Sequence, residues 1–175
     1  MLKANDFSNA FIHPSCVIED GVEIGANTLI GPFCFIRSDT VIGKNCKIGG
    51  LNVFEGTCKI GNNVRFGTHI NIGWYTTIED YVFLAGHSTG ANDKKIKYLR
   101  QLKESEFRGY TVKKAARIGL GVIFMPGITV GQEALVGAAS LVTRDVKPGE
   151  IVYGVPARHK GWVSEEEKLK IVMGI

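Results

Sequence analysis

The stretch IRSDTVIGKNCKIGGLNVFEGTCKIGNNVRFGTHINI, residues 36–72, carries an aliphatic or aromatic residue at every sixth position. The same frame extends in both directions, is lost after Thr89, and resumes further along the chain. A fixed short period of this kind predicts a repeat architecture in which each unit packs on the next. The residues in the frame are Ile12, Ile18, Ile24, Ile30, Ile36, Ile42, Ile48, Phe54, Ile60, Phe66, Ile72, Ile78 and Leu84, then Val112, Ile118, Phe124, Val130, Val136 and Val142.

The other positions explain why six residues form a unit. Glycine commonly follows the aliphatic residue, as at Gly43 and Gly61, and turn formers such as Asn45 and Asn63 come two places later. These residues accept a positive φ and bend the chain at low cost. The fifth place holds a small or β-branched residue. Two apolar positions four apart fit neither an amphipathic helix nor an alternating strand. We therefore expect one short strand and one corner per hexad, with strands stacked ~4.8 Å apart.

The repeated [Ile/Val]-Gly-x-x-small-x hexad resembles that of the left-handed parallel β-helix acyltransferases, and the resemblance covers nearly the whole chain. It implies an all-β fold, three hexads per coil, a homotrimer, and active sites between neighbouring copies. We expect a single domain over residues 1–175, divided into an N-terminal cap (1–11), a left-handed β-helix (12–161) with an inserted loop (90–111), and a C-terminal helix (162–175).

The C-terminal helix is predicted from about Glu165 to Met173. Ser164 and Glu167 have the spacing of a capping box, which favours a helix start at this point. Such a helix would cover the open strand edge of the last coil.

Bulk properties predict a cytoplasmic protein. The chain has no apolar run long enough to cross a bilayer, and its first residues lack a signal-peptide pattern, so we expect no membrane partner. The net charge of +4 is modest and scattered, which disfavours nucleic acid as a partner. Four cysteines all occupy the small fifth place, which predicts core packing rather than disulfides or a metal site; they are Cys16, Cys34, Cys46 and Cys58.

The insertion is the first candidate for chemistry, because long loops on rigid scaffolds frequently carry binding or catalysis. Two interpretations stay open for its basic residues: a solvated surface, or a site for the phosphates of a nucleotide sugar or coenzyme A. These residues are Lys94, Lys95, Lys97, Arg100, Lys103 and Arg108.

Where the insertion departs, the sequence reads FLAGHSTGAND (residues 83–93). It is similar to a motif of nucleotide amino-sugar N-acetyltransferases that ends in Asn-Asp, and Asn92 and Asp93 occupy that pair. This resemblance implies that the two residues orient an amino group of the acceptor. Gly90 stands where the motif has an aromatic residue.

His69 and His87 are eighteen residues apart, so three hexads per coil would stack them at one corner of adjacent coils. A general base must accept the proton of the attacking amine or hydroxyl, and histidine suits this role near neutral pH. His87 is the stronger candidate because it adjoins the insertion. The alternative is that both are corner residues that tolerate a turn.

The last third of the chain closely resembles the coenzyme A segment of the same family, through residues 118–131, 136–146 and 154–158. The resemblance implies acetyl-CoA as cosubstrate. It places Leu120, Gly121 and Ala138 beside the pantetheine arm, for which small side chains leave room. Thr143 and Arg144 would lie near the nucleotide end, and Arg158 would meet a phosphate.

These features predict an acetyl-CoA-dependent N-acetyltransferase acting on an amino group of a nucleotide-linked sugar, with a product used in surface glycan biosynthesis. One alternative is O-acetylation of a saccharide or another small hydroxyl compound. A second is a carbonic anhydrase of the same fold, which holds zinc through three histidines. A third is a structural β-helix without catalysis. The sequence indicates neither the sugar nor its nucleotide.

Overall fold

The chain winds into a three-sided parallel β-solenoid. The computed structural model describes residues 9–96, 99, 103 and 107–169. The first face contains β1 (Phe11–Ile12), β4 (Leu29–Ile30), β7 (Lys47–Ile48), β10 (Arg65–Phe66), β13 (Phe83–Leu84), β16 (Arg117–Ile118), β19 (Leu135–Val136), β21 (Glu150–Tyr153) and β22 (Arg158–Trp162). The second contains β2 (Val17–Ile18), β5 (Phe35–Ile36), β8 (Val53–Phe54), β11 (Asn71–Ile72), β14 (Thr89–Gly90), β17 (Ile123–Phe124) and β20 (Leu141–Val142). The third contains β3 (Glu23–Ile24), β6 (Val41–Ile42), β9 (Lys59–Ile60), β12 (Thr77–Ile78), β15 (Thr111–Val112) and β18 (Thr129–Val130).

Each strand from β1 to β17 pairs in parallel with the strand three places further along the chain. Arg65 lies opposite Phe83, and Phe66 opposite Leu84, so the register is eighteen residues per turn. This solenoid of about seven turns confirms the all-β hexapeptide-repeat prediction and is consistent with the left-handed sense that the resemblance implies.

Three corners connect the faces and recur in every turn. The first corner joins the first face to the second, as in residues 67–70. The second corner joins the second face to the third, as in residues 73–76. The third corner leads back to the first face, as in residues 61–64. Many corners contain a non-glycine residue with positive φ, including Asn45 at 59° and Asn63 at 57°.

The core follows from the two apolar positions of the hexad. Aliphatic frame residues such as Ile36 and Ile72 are fully buried, and so are fifth-place residues such as Val122. All four cysteines are free thiols. Cys34, Cys46 and Cys58 are buried in this core and Cys16 packs against it. The prediction that the cysteines serve core packing is therefore confirmed.

One turn replaces the usual core residue with a glycine. Gly90 occupies a frame position, and a Cβ there would lie 2.2 Å from a ring carbon of Tyr110. Tyr110 is fully buried and stacks on Phe124, with 4.4 Å between ring centroids. The tyrosine at the end of the insertion therefore fills the core volume that Gly90 leaves empty.

The two ends of the insertion are held together beside the second corner. The Arg108 N–H donates to the Asn92 carbonyl (2.8 Å), and the Gly127 N–H donates to the Arg108 carbonyl (3.0 Å). The chain leaves after β14 and returns before β15, so Gly90 and Thr111, the ends of the predicted insertion 90–111, lie in strands. Lys97 and Arg100 lie outside the described residues.

The structure departs from the predictions at both termini. The repeat begins at Phe11, inside the predicted cap of residues 1–11, whose first eight residues lie outside the described part. The predicted C-terminal helix over 162–175 is absent from the described residues 162–169: Trp162 ends strand β22, and residues 165–167 form a turn. The Ser164 N–H does donate to the Glu167 carboxylate (3.3 Å). The antiparallel pairing of β22 with β21 extends to Trp162, and Val163 and Ser164 connect it to the turn. Residues 170–175 lie outside the described part.

We predict that Tyr110→Ala lowers the free energy of unfolding by about 3–5 kcal/mol, because it empties a buried aromatic site. Tyr110→Phe is expected to match or exceed the stability of the parent protein, because the Tyr110 hydroxyl is buried without a hydrogen-bond partner among the described residues. Urea unfolding at fixed protein concentration measures both variants. Equal destabilisation by the two substitutions would contradict this account.

We also predict slow reaction of most thiols. Burial raises the pKa of Cys34 and of Cys58 to about 11 and raises that of Cys46, and the thiolate is the reactive form. At pH 8, Ellman's reagent should modify at most one thiol per folded chain promptly, and Cys16→Ser should remove that reaction. Prompt reaction of two or more thiols would show that the core is open.

Candidate active site

The two histidines meet at the first corner. His69 and His87 are exposed, have φ of 57° and 59°, and stack with 4.8 Å between ring centroids and 4° between ring planes. The His87 N–H donates to the Thr68 carbonyl (2.9 Å), which fixes one turn on the other. The predicted stacking of these side chains is confirmed. The arrangement presents two imidazoles side by side on one edge of the solenoid.

The first corner continues beyond His87 with small residues. The Gly121 N–H donates to the Gly86 carbonyl (3.0 Å), and the Ala139 N–H donates to the Leu120 carbonyl (2.8 Å). A Cβ added at Gly121 would meet nothing within 4 Å. Leu120 and Ala138 are exposed. Three of the predicted cofactor-binding residues, Leu120, Gly121 and Ala138, therefore share an open edge directly below His87.

Arg158 lies at the far end of the same edge. It pairs with Tyr153 across the β21–β22 hairpin. The Tyr153 Cβ is 2.7 Å from the position a Cβ would occupy at Gly137, the residue before Ala138. The Arg158 side chain is exposed and donates to the Ala157 carbonyl (3.1 Å). An anionic group at this end of the edge would meet a guanidinium.

Asn92 and Asp93 occupy a different corner. Both are half-buried at the second corner, where the insertion departs. The Asp93 carboxylate accepts the Lys95 N–H (2.7 Å), and the Asn92 carbonyl accepts the Arg108 N–H. Strand β14 separates this corner from His87 on the same turn. The structure therefore does not bring the predicted catalytic residues of one chain into a single cluster.

Thr143 and Arg144 also belong to the second corner, two turns beyond Asn92. They line an open groove of about 540 Å³ with Lys94, Met125 and Pro126. Lys94 and Arg144 outnumber the one carboxylate of the groove, that of Asp145, so its formal charge is +1 and it can accept a phosphate or another anion. The six predicted cofactor-binding residues are thus divided between two corners, because Thr143 and Arg144 follow β20 on the side away from Ala138.

Sequence reasoning missed a polar and aromatic cluster at the second corner. Glu19, Arg37 and Glu55 follow one another at eighteen-residue spacing, and Trp74 lies one turn further along. All four line one groove. The signal was present in the sequence, because the same spacing that stacks the histidines also stacks these residues.

The described residues contain no group of three or more His, Cys, Asp or Glu side chains placed to hold a metal ion. They also contain no helix long and apolar enough to span a membrane.

Comparison with known proteins agrees with this architecture. The family described as "Bacterial transferase hexapeptide (six repeats)" matches residues 7–38. The dTDP-3-amino-3,6-dideoxy-alpha-D-galactopyranose 3-N-acetyltransferase of Aneurinibacillus thermoaerophilus is 45% identical over 62 residues, which are 35% of this chain and 32% of that protein. The chain therefore contains a segment, residues 7–38, that matches the hexapeptide-repeat transferase family.

Two further acetyltransferases match more of the chain. Galactoside O-acetyltransferase of Escherichia coli K12 is 29% identical over 119 residues, 59% of each protein. A serine acetyltransferase solved in complex with cysteine has a TM-score of 0.57 and 29% identity, covering 67% of this chain and 43% of that one. The chain thus matches between about one third and three fifths of the length of each of these relatives.

Proposed function

We propose that the protein is an acetyl-CoA-dependent N-acetyltransferase acting on an amino group of a nucleotide-linked sugar, and that its product is used in surface glycan biosynthesis. The observation that carries this proposal is the continuous first corner, where the stacked histidines are followed by the open edge of Leu120, Gly121 and Ala138. A base beside an extended groove suits a thioester donor. The likeness to an amino-sugar N-acetyltransferase supports the choice of acceptor.

In the proposed reaction the amine nitrogen attacks the thioester carbonyl carbon, the new C–N bond forms, and the C–S bond breaks. Coenzyme A leaves as a thiolate. His87 accepts the proton lost by nitrogen and returns a proton to the thiolate. Backbone N–H groups at the corner stabilise the oxyanion, and Asn92 and Asp93 orient the amine.

The position of Asn92 and Asp93 requires a second copy of the chain. His87 and this pair lie on different corners, so a site that contains both forms where the first corner of one copy meets the second corner of the next. We propose a homotrimer with three such sites. Exposed apolar residues on and beside the first corner support this contact, since Phe33 is 63% exposed, Leu51 45% and Phe35 36%.

The phosphates of coenzyme A are proposed to lie against Arg158 or the groove of Lys94, Thr143 and Arg144. Both places are positively charged and exposed. A cytoplasmic location is also proposed, and the four free thiols support it, because reducing compartments keep cysteines unpaired.

O-acetylation is the second candidate. The exposed His69–His87 pair favours it, because a hydroxyl group needs a general base more than a neutral amine does. The similarity to galactoside O-acetyltransferase also favours O-acetylation.

Acetyl transfer from labelled acetyl-CoA to a panel of UDP-, dTDP- and GDP-linked amino sugars tests the proposal. We expect turnover of at least one amine and a rise in melting temperature with coenzyme A, since a ligand at 100 times its Kd stabilises the folded state by about 2.7 kcal/mol. Turnover of hydroxyl acceptors alone would assign O-acetylation. Absence of both coenzyme A binding and transfer would favour a structural β-helix.

Mixed oligomers test the shared site. His87→Asn preserves the positive φ, which asparagine tolerates, and Asp93→Asn preserves the acceptor for the Lys95 N–H. Each variant alone is expected to lose about 100-fold or more in kcat/KM. Co-expressed in equal amounts, they should recover about a quarter of the parent activity, because a quarter of the interfaces then pair two intact residues. No recovery in oligomers of normal size would place both residues in one copy's site.

A further inference from the structure

A groove at the second corner lies on the turns that precede Asn92. It has a volume of about 300 Å³ and is lined by Glu19, Arg37, Ser38, Asp39, Glu55, Gly56, Thr57, Trp74 and Tyr75. We call it the Trp74 groove. Eighteen-residue spacing puts Trp74 directly before Asn92 and Tyr75 directly before Asp93. A Cβ at Gly73 would lie 3.8 Å from the Asn92 Cβ and from its Nδ2. The groove is therefore continuous with the pair proposed to orient the amine.

The indole of Trp74 is held in place from several directions. Its Nε1–H donates to the Glu55 carbonyl. The ring of Phe107, from the returning end of the insertion, meets the indole edge-on, with 5.6 Å between centroids and 68° between planes. A Cβ at Gly56 would lie only 3.7 Å from the Trp74 Nε1. A fixed aromatic surface of this kind offers an apolar face to a ring at little entropic cost.

The carboxylates of the groove are also positioned. Glu19 accepts the Ser38 N–H and the Ser38 hydroxyl, both at 3.0 Å, and lies 3.4 Å from the Arg37 Nε. The Ser38 backbone N–H, with the Ser38 hydroxyl and Arg37, holds the pKa of Glu19 below its usual value despite some desolvation. Glu55 accepts the Asn71 side-chain amide at 3.0 Å. Ionised carboxylates are strong acceptors for hydroxyl and ammonium groups.

The charge of the groove distinguishes it from the groove of Lys94 and Arg144. Its carboxylates are those of Glu19, Asp39 and Glu55, and its guanidinium is that of Arg37, so its formal charge is −2. A diphosphate would be repelled here and attracted to the other groove. Asn92 and Asp93 lie between the two grooves on the same corner. One edge of the solenoid thus offers an anionic site before this pair and a cationic site after it.

We propose that the Trp74 groove binds the amino-substituted saccharide ring of the acceptor and excludes its phosphates. The apolar face of the ring stacks on Trp74, and its hydroxyl groups donate to Glu55 and Glu19. The ring then presents its amino group toward Asn92 and Asp93. This inference rests on the proposed function and adds which part of the acceptor is recognised, and by which residues.

Tryptophan fluorescence tests the proposal directly, because the chain has two tryptophans. In a Trp162→Phe protein all tryptophan emission comes from Trp74. Galactosamine and a panel of other free amino sugars should change this emission in a saturable manner, and UDP alone should not. Glu55→Gln in this background should weaken the binding at least 5-fold. Glu23→Gln, which neutralises an exposed glutamate on the third face, is the matched control and should leave it unchanged.

Kinetics separates this inference from the proposed function. Trp74→Ala should raise KM for the amino-sugar acceptor at least 10-fold while KM for acetyl-CoA stays within 2-fold, and Trp162→Ala should leave the acceptor KM unchanged. If the enzyme is active and its KM for the acceptor is unchanged by Trp74→Ala and Glu55→Gln, the groove assignment is wrong, while the acetyltransferase proposal is still supported. Saturable amino-sugar binding without acetyl transfer would support the groove assignment and contradict the acetyltransferase proposal. Saturable quenching by UDP, but by no amino sugar, would assign the groove to a nucleotide and reject the proposal.

Discussion

The hydrogen-bond ladder between successive turns is the constraint on which the rest of the structure depends. The Gly25 N–H donates to the Ile42 carbonyl and the Gly43 N–H to the Ile60 carbonyl, each at 2.8 Å, and similar bonds recur along all three faces. Because each strand has only two residues over most of the solenoid, no single pair of strands is stable alone. Outside the insertion and the last turn, the ladder fixes each residue beside the residue eighteen places away, so a side chain at a corner joins a column of neighbours.

The close approach of successive turns explains the glycines that follow the aliphatic frame residues. A Cβ at Gly43 would come within 2.5 Å of the Gly61 carbonyl oxygen, and one at Gly67 within 2.4 Å of the Gly86 nitrogen. A side chain at these positions would force the turns apart and lengthen the ladder bonds. Corner chemistry therefore depends on the remaining corner positions, which include the positive-φ sites held by His69 and His87.

The periodicity predicted the short strands and the buried columns, and the three hexads per coil implied by the resemblance predicted the three faces and the stacking of the two histidines. It could not predict that the Tyr110 ring fills the core volume left empty at Gly90, because Tyr110 lies at the end of an insertion that interrupts the repeat. The C-terminal helix was predicted from Ser164 and Glu167, and the Ser164 N–H does donate to the Glu167 carboxylate, yet residues 165–167 form only a turn. A capping interaction stabilises a helix by about 1 kcal/mol and does not by itself nucleate one.

The candidate site was harder to predict than the fold for a geometric reason. A linear motif places His87 and Asp93 six residues apart, but one hexad of this fold is one full side of a triangle. Residues close in sequence thus point away from each other, while Trp74 and Asn92, eighteen apart, are neighbours. The Trp74 groove was missed because its members are scattered over four turns and match no contiguous motif.

The antiparallel strand β22 covers the strand edge at the C-terminal end of the first face. The other strand pairs in the described part of the chain are parallel. β22 covers the outer edge of β21 with reversed polarity, and the Val163 N–H donates to the Gly149 carbonyl (2.8 Å). The first face therefore offers no edge of β21 to a parallel strand of a further copy, which disfavours head-to-tail growth into filaments at this end.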